Sequence, residues 1–148
     1  MTAVLIAVAV CLTELAIRRA VKEKGDEWKG DVCLGLIRRE NVCNRGLFLG
    51  FLRKNRLIAN ILAISAMCAA AAYGVLRGLR GMAFAAQLGW GLVLGGGLSN
   101  AVERLVRGHV TDYLSLPRAV PRRLRRVVFN LADVCVFIGA VIVTIFDR

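Results

Sequence analysis

Asp112 and Asp133 stand twenty-one positions apart, each in a short polar cluster beside a long apolar run. A carboxylate set at the edge of hydrocarbon is costly unless it has a role, so such a residue starts as a functional-site candidate. Two carboxyls held close cannot both ionise readily and tend to share one proton. The pair then offers a base to take a proton from water and an acid to protonate a carbonyl oxygen or a leaving amine. Peptide hydrolysis without a covalent intermediate needs both. No convincing nucleophile competes with this reading: Ser65 falls mid-helix, and the only histidine, His109, is a poor match for a triad.

Further polar residues recur at helical spacing. Asn130 and Asp133 are three apart and so share one helical face, about six residues inside the last helix. Asn100, Glu103 and Arg104 form a second polar face, and Glu14 precedes Arg18 by four positions, the better orientation for an ion pair. Every long apolar helix except the second thus carries a polar face. Each pair taken alone also fits interhelical hydrogen bonding or mutual neutralisation. A single Asp at each of two converging helix ends fits that less well. His109 and Asp112 fall short of a zinc site without a further His or a Cys pair. The run Gly95–Gly96–Gly97 lacks the Lys-Ser/Thr of a P-loop, and Gly91 with Gly95 suits close helix packing. No cofactor is expected.

The elements that must position these residues are apolar runs. The chain is 148 residues long and 57% apolar, with a mean hydropathy of +0.62. Residues 57–76, 83–102 and 127–146 each approach the roughly 20 residues needed to cross a bilayer, and residues 2–17 form a shorter fourth run. The expected fold is a mainly α membrane protein with four transmembrane helices, a single polytopic domain over 1–148. The first run lacks Lys or Arg ahead of its apolar stretch, so a spanning helix is expected there and not a cleaved leader. Residues 18–56 form a long extramembrane cap whose brief apolar stretches, VCLGLI and GLFLGFL, fit short β-strands. RGLRG is a tight helix–helix link. The third connection, about 103–126, is broken by Pro117 and Pro121 and should turn at the interface.

The net charge of +11 fits basic loops near anionic lipid headgroups. Nucleic acid is not expected, because the cations are not interleaved with stacking aromatics. Cys11, Cys68 and Cys135 lie in apolar runs and pack as small hydrophobes. Cys33 and Cys43 share the cap, where a disulfide is open.

Taken in order, these motifs resemble the bacterial lipoprotein signal peptidases, four-helix intramembrane aspartic endopeptidases. That family's G-N-x-x-D-R, G-x-V-x-D and F-N-x-A-D stand here as Ser99-Asn100-Ala101-Val102-Glu103-Arg104, Gly108-His109-Val110-Thr111-Asp112 and Phe129-Asn130-Leu131-Ala132-Asp133. Its N-x-G-A-A-F resembles Asn44-Arg45-Gly46-Leu47-Phe48-Leu49, and its D-x-x-x-K resembles Glu14 to Arg18. The resemblance implies a catalytic dyad of Asp112 and Asp133. Asn44, Gly46, Asn100, Arg104 and Asn130 would position substrate or dyad, and Glu14, Arg18 and Glu103 would brace the helices. The chain is expected to be a monomer among the lipids of the bacterial inner membrane. The substrate would be a prolipoprotein whose cysteine bears diacylglycerol, cut on the amino side of that cysteine.

The chain departs from the pattern at Glu14, Arg18, Glu103, Leu47, Phe48 and Ser115, which bears on substrate range. Its cations also bear on topology. The cap holds eleven Lys or Arg and the third connection seven, against Arg77, Arg80 and Arg148 on the other side. The positive-inside rule alone would put the cap in the cytoplasm, whereas the resemblance implies a catalytic end outside. Two alternatives remain: a paralogue cutting another membrane peptide from the cytoplasmic side, and a non-catalytic membrane protein that binds lipidated peptides.

Overall fold

A computed structural model describes residues 1–32, 37–46, 54–116, 120 and 127–147. Four helices, α1 (Thr2–Lys24), α2 (Arg56–Leu79), α3 (Phe84–Arg107) and α4 (Leu131–Phe146), carry a small antiparallel sheet. Its strands are β1 (Gly30–Val32), β2 (Ile37–Asn44), β3 (Val110–Ser115) and β4 (Val128–Phe129), in that spatial order. A 3-10 turn, Gly25–Trp28, leads from α1 into β1.

α3 is the central helix and packs against α1, α2 and α4. Its glycines make this possible. A Cβ on Gly91 would lie 2.7 Å from Ile6, and one on Gly95 would lie 2.6 Å from the Ala7 carbonyl oxygen, so α1 seats directly on that face. On another face, a Cβ on Gly96 would lie 2.6 Å from the Ala132 carbonyl oxygen of α4, and one on Gly139 equally close to the Gly89 oxygen. Each Gly costs roughly 1 kcal/mol of helix propensity, and the close backbone approach offsets it. The expected packing role of Gly91 and Gly95 is what the structure has.

The helices turn their apolar side outward. Val4, Leu5 and Leu12 of α1, Ile61 and Leu62 of α2, and Phe137 and Ile138 of α4 are exposed, while Glu14, Arg18, Glu103 and Arg104 are buried. Four spanning helices were expected. Among the described residues only α2 is both long and apolar enough to cross a membrane by length and composition; α4 is apolar but has 16 residues.

Several boundaries move. α1 runs on to Lys24 and α3 to Arg107, because charged residues that end an apolar run still favour helix and find partners. α3 stops at Gly108, whose left-handed φ of 72° suits glycine and whose N–H donates to the Arg104 carbonyl at 2.9 Å. The cap does contain strands, but β2 is the polar IRRENVCN segment and not the apolar stretches. VCLGLI lies largely, and GLFLGFL almost wholly, outside the described residues, as do Cys33, Pro117 and Pro121. The third connection supplies β3 and β4, so the sheet joins both connections into one platform at one end of the helices.

Candidate active site

Sheet register and a helix cap bring the two aspartates together. On β3, Asp112 pairs with Val42 of β2, and Asn44 lies diagonally across the same face. Asn44 Nδ2 donates to Asp112 Oδ2 at 2.9 Å, and Asn44 Oδ1 accepts from the Gly46 N–H at 3.0 Å, which fixes the amide's orientation. Asp133 does not lie six residues inside α4. The helix begins at Leu131 with Asn130 as its N-cap, so Asp133 sits in the first turn. The two form a capping box: the Asp133 N–H donates to Asn130 Oδ1 at 2.9 Å, and the Asn130 N–H donates to Asp133 Oδ2 at 3.2 Å.

Asn130 is also the bridge between the aspartates. Its Nδ2 donates to Asp112 Oδ1 at 2.7 Å, while its Oδ1 holds the backbone of Asp133. Asn100 Nδ2 completes the set, donating to Asp133 Oδ1 at 3.1 Å. All four carboxyl oxygens therefore accept a hydrogen bond from an amide N–H, three of them from asparagine side chains. Asp112 is 2% exposed. Burial, then the charge of Asp133, push its carboxyl up to about 6, against the pull of the Asn44 and Asn130 hydrogen bonds.

Behind the aspartates lies a bracing network. Arg18 Nε donates to Glu14 Oε1 at 2.9 Å, Nη1 to the Ser99 carbonyl at 3.1 Å, and Nη2 to Asn100 Oδ1 at 2.6 Å. Arg18 Nη1 also lies 3.2 Å from Glu103 Oε2. Glu103 accepts from the Thr111 N–H at 2.7 Å and the Thr111 hydroxyl at 3.1 Å, and pairs with Arg107. The Tyr113 hydroxyl donates to Glu14 Oε2 at 2.8 Å and accepts from the Leu131 N–H at 3.2 Å. Burial and the neighbouring Glu14 raise the Tyr113 pKa and keep that hydroxyl protonated.

Arg104 joins the cap to the helices: its Nη2 donates to the Gly46 carbonyl at 2.7 Å and its Nη1 to Asn60 Oδ1 at 3.0 Å. Asn60 is a lone polar contact on the second helix, which has no polar face at helical spacing, and its Nδ2 also donates to the Gly108 carbonyl at 3.3 Å. Asn60, Thr111 and Tyr113 escape a reading by sequence. Alternation in Thr111-Asp112-Tyr113 is the signal that points to two of them, since it sets both on the face opposite Asp112.

A cavity of about 520 Å³ opens beside the aspartates. Asn44, Asn100, Arg104, Asp112, Asn130 and Asp133 form its polar part. Its remainder is apolar, with Ala63, Ala66, Met67 and Ala70 of α2 facing Val136, Phe137 and Ala140 of α4. The arrangement can hold an apolar chain and present one polar bond to two carboxyls.

The sequence model of the family described as Signal peptidase (SPase) II matches residues 2–147. The chain belongs to the signal peptidase II family. Among its relatives, the lipoprotein signal peptidase of Nostoc punctiforme is 44% identical over 59 residues, 40% of this chain and 34% of that protein. That of Chlorobaculum tepidum is 36% identical over 65 residues, 40% of each. The matched stretch thus spans well under half the length of these relatives. Two solved structures share the fold. A bacterial membrane enzyme solved by the in meso method at 2.3 Å resolution has a TM-score of 0.74 and 22% identity, covering 97% of this chain and 85% of the other. A second, at 1.9 Å, has a TM-score of 0.69 and 20% identity, covering 97% and 90%. For this signal peptidase II homologue, the likeness extends over the helices and the sheet together.

Proposed function

We propose that this chain is an intramembrane aspartic endopeptidase that removes signal peptides from diacylglyceryl-modified prolipoproteins, cutting on the amino side of the lipidated cysteine. The observation that carries the reading is the pair Asp112 and Asp133, joined through Asn130 at the polar end of an apolar cavity. The ionised carboxylate takes a proton from a water as its oxygen adds to the scissile carbonyl. The protonated carboxyl gives its proton to the carbonyl oxygen. Collapse of that adduct breaks the C–N bond, and the amine leaves with a proton from the pair. Asn44, Asn100 and Asn130 aim the carboxyls, while Glu14, Arg18 and Glu103 lock Asn100 and the helices; Arg104 and Gly46 fix the cap edge over the cavity.

Burial and the charge of Asp133 hold the Asp112 carboxyl at about 6, well above a free carboxyl, which favours retention of a proton beside Asp133. A peptide lying over the pair excludes water and favours it further.

The chain acts as one polytopic domain in the bacterial inner membrane, as a monomer, with four helices crossing. α1 and α3 bury their charges against one another and turn apolar side chains outward, which supports their lying in lipid despite those charges. α4 gains depth because the strand before it and its capped first turn stand at the interface. The catalytic end faces outward, because a lipid-modified cysteine substrate is presented at the outer leaflet; the cation count of the cap opposes this orientation, and its acids count little under the positive-inside rule.

Single Asp112→Asn and Asp133→Asn variants are each expected to abolish cleavage of a diacylglyceryl prolipoprotein in proteoliposomes while staying folded. Retained cleavage in either refutes the dyad. Wild-type protein that binds the lipidated substrate but never cleaves it would establish the binding-protein alternative instead. Reporter fusions at Arg148 and within residues 22–31 test the orientation.

A further inference from the structure

We infer that Met67 sets the upper size limit on the substrate side chain immediately preceding the lipidated cysteine. This rests on the endopeptidase reading and assigns it a specificity-determining residue. The wall that α2 gives the cavity is otherwise small, consisting of Ala63, Ala66 and Ala70; Met67 is the one long side chain on it. The Met67 sulfur lies against the Cα of Gly97, in the space that a Cβ there would fill. Gly97 is three positions from Asn100, the donor to Asp133, so Met67 packs on α3 about one helical turn, roughly 5 Å of rise, from the residue that holds Asp133, and it lines the same cavity as the two carboxyls. An extended peptide advances about 3.3 Å per residue, so a substrate whose scissile bond meets the carboxyls and whose amino side runs toward α2 brings the side chain before the cysteine to the wall that Met67 forms.

α2 cannot simply swing away to admit something larger. Asn60 ties one end to Arg104 and to the Gly108 carbonyl. At the other end, Arg77 Nε and Nη2 donate to Asp147 at 2.9 and 2.6 Å, and Trp90 Nε1 donates to the same carboxylate at 2.9 Å. Met67 lies between these two anchors. The gap across the cavity is thus set by the side chain at 67 and by the space over Gly97.

The test compares diacylglyceryl peptides carrying Gly, Ala or Val before the cysteine. Cleavage is measured as kcat/KM, and binding as Kd in an Asp112→Asn background. Met67→Ala is expected to raise the Val-to-Gly ratio of kcat/KM about tenfold and to shift the Kd ratio in the same sense, the size of effect that one or two methylenes have in an apolar pocket. Gly97→Ala, which pushes the sulfur into the cavity, is expected to lower the ratio, and Met67→Ala/Gly97→Ala to bring it back toward wild type. A Met67→Ala protein with an unchanged Val-to-Gly ratio, or with a change only in preference for acyl-chain length, overturns the assignment. A graded Kd shift without cleavage by wild-type protein would sustain the size limit and refute the endopeptidase reading.

Discussion

Asp112→Asn is expected to do more than stop cleavage: it should change how stability depends on pH. The Asp112 carboxyl is raised from 3.8 to about 6 on folding, first by burial and then by the charge of Asp133. For an acid with a raised folded pKa, the favourable state is the protonated one. Its full stability is present below the unfolded value and is lost as pH rises from about 4 through about 6. A displacement of roughly two units is worth about 3 kcal/mol against the folded state at pH 7.5. An amide at position 112 never ionises, so that loss disappears. It brings a separate cost. The amides of Asn44 and Asn130 both present N–H groups to Asp112, and their oxygens are already engaged by the N–H groups of Gly46 and Asp133. A new NH2 therefore meets a donor, at about 1–3 kcal/mol. That cost is the same at every pH. Thermal unfolding in detergent at pH 4 and pH 7.5, followed by tryptophan fluorescence, separates the two effects. The variant should gain on wild type by about 2.5 kcal/mol between those pH values, because at pH 4 the unfolded acid is already partly ionised, a Tm change of order 5–10 °C for a chain of this length. Parallel pH curves for the two proteins would refute the account of Asp112 as a buried carboxyl that ionises at the expense of stability.

Tyr113→Phe removes one hydroxyl that serves two elements, leaving buried Glu14 Oε2 short of a donor and the Leu131 N–H short of an acceptor. Unfolding in detergent should show a loss of about 2–4 kcal/mol. An unchanged Tm would mean that the hydroxyl is dispensable to the brace. Gly96→Ala puts a Cβ 2.6 Å from the Ala132 carbonyl, beside Asp133, and should cost about 1–3 kcal/mol while also lowering kcat. A stable, fully active Gly96→Ala protein would show that the α3–α4 contact can widen without disturbing the aspartates.

Much of the candidate site was legible in the order of residues because its parts repeat at fixed spacing. Glu14 and Arg18 read as an ion pair, Gly91 and Gly95 as a packing face, and Asn100, Glu103 and Arg104 as a polar face, and each is found in that form. What misled was a spacing with two meanings. Asn130 and Asp133 at i, i+3 describe one face of a running helix, but also a capping box, and the apolar residues before Asn130 favoured the first reading. They are β4, which extends the sheet and lets α4 begin at Leu131. Asn60 was invisible for another reason. A lone amide in an apolar run has no periodic partner, and its role depends on Arg104, forty-four positions away. The cap strands were sought in apolar stretches, whereas β2 is a polar segment held by backbone pairing to β3 and by the Arg38–Glu40 pair.

The departures at Glu14, Arg18 and Glu103 make sense as one change. The related pattern has Asp, Lys and Asp at these positions. Arg18 presents nitrogens in several directions at once, to Glu14, to Ser99 and Glu103, and to Asn100. A lysine ammonium is a single centre and cannot span those partners. The extra methylene of each Glu lets one carboxylate serve two elements. Glu14 meets both Arg18 and Tyr113, and Glu103 meets Arg18 and both donors of Thr111. Reverting one of the three alone would leave a buried charged group short of a partner, so they are constrained to change together. The outcome for the aspartates is conservative. With Asn100 Oδ1 held by Arg18, its Nδ2 has one direction left, and that direction is Asp133. The substitutions fall on the brace, whereas Asn44, Asn100 and Asn130, which donate to the carboxyls, are the residues the related pattern retains.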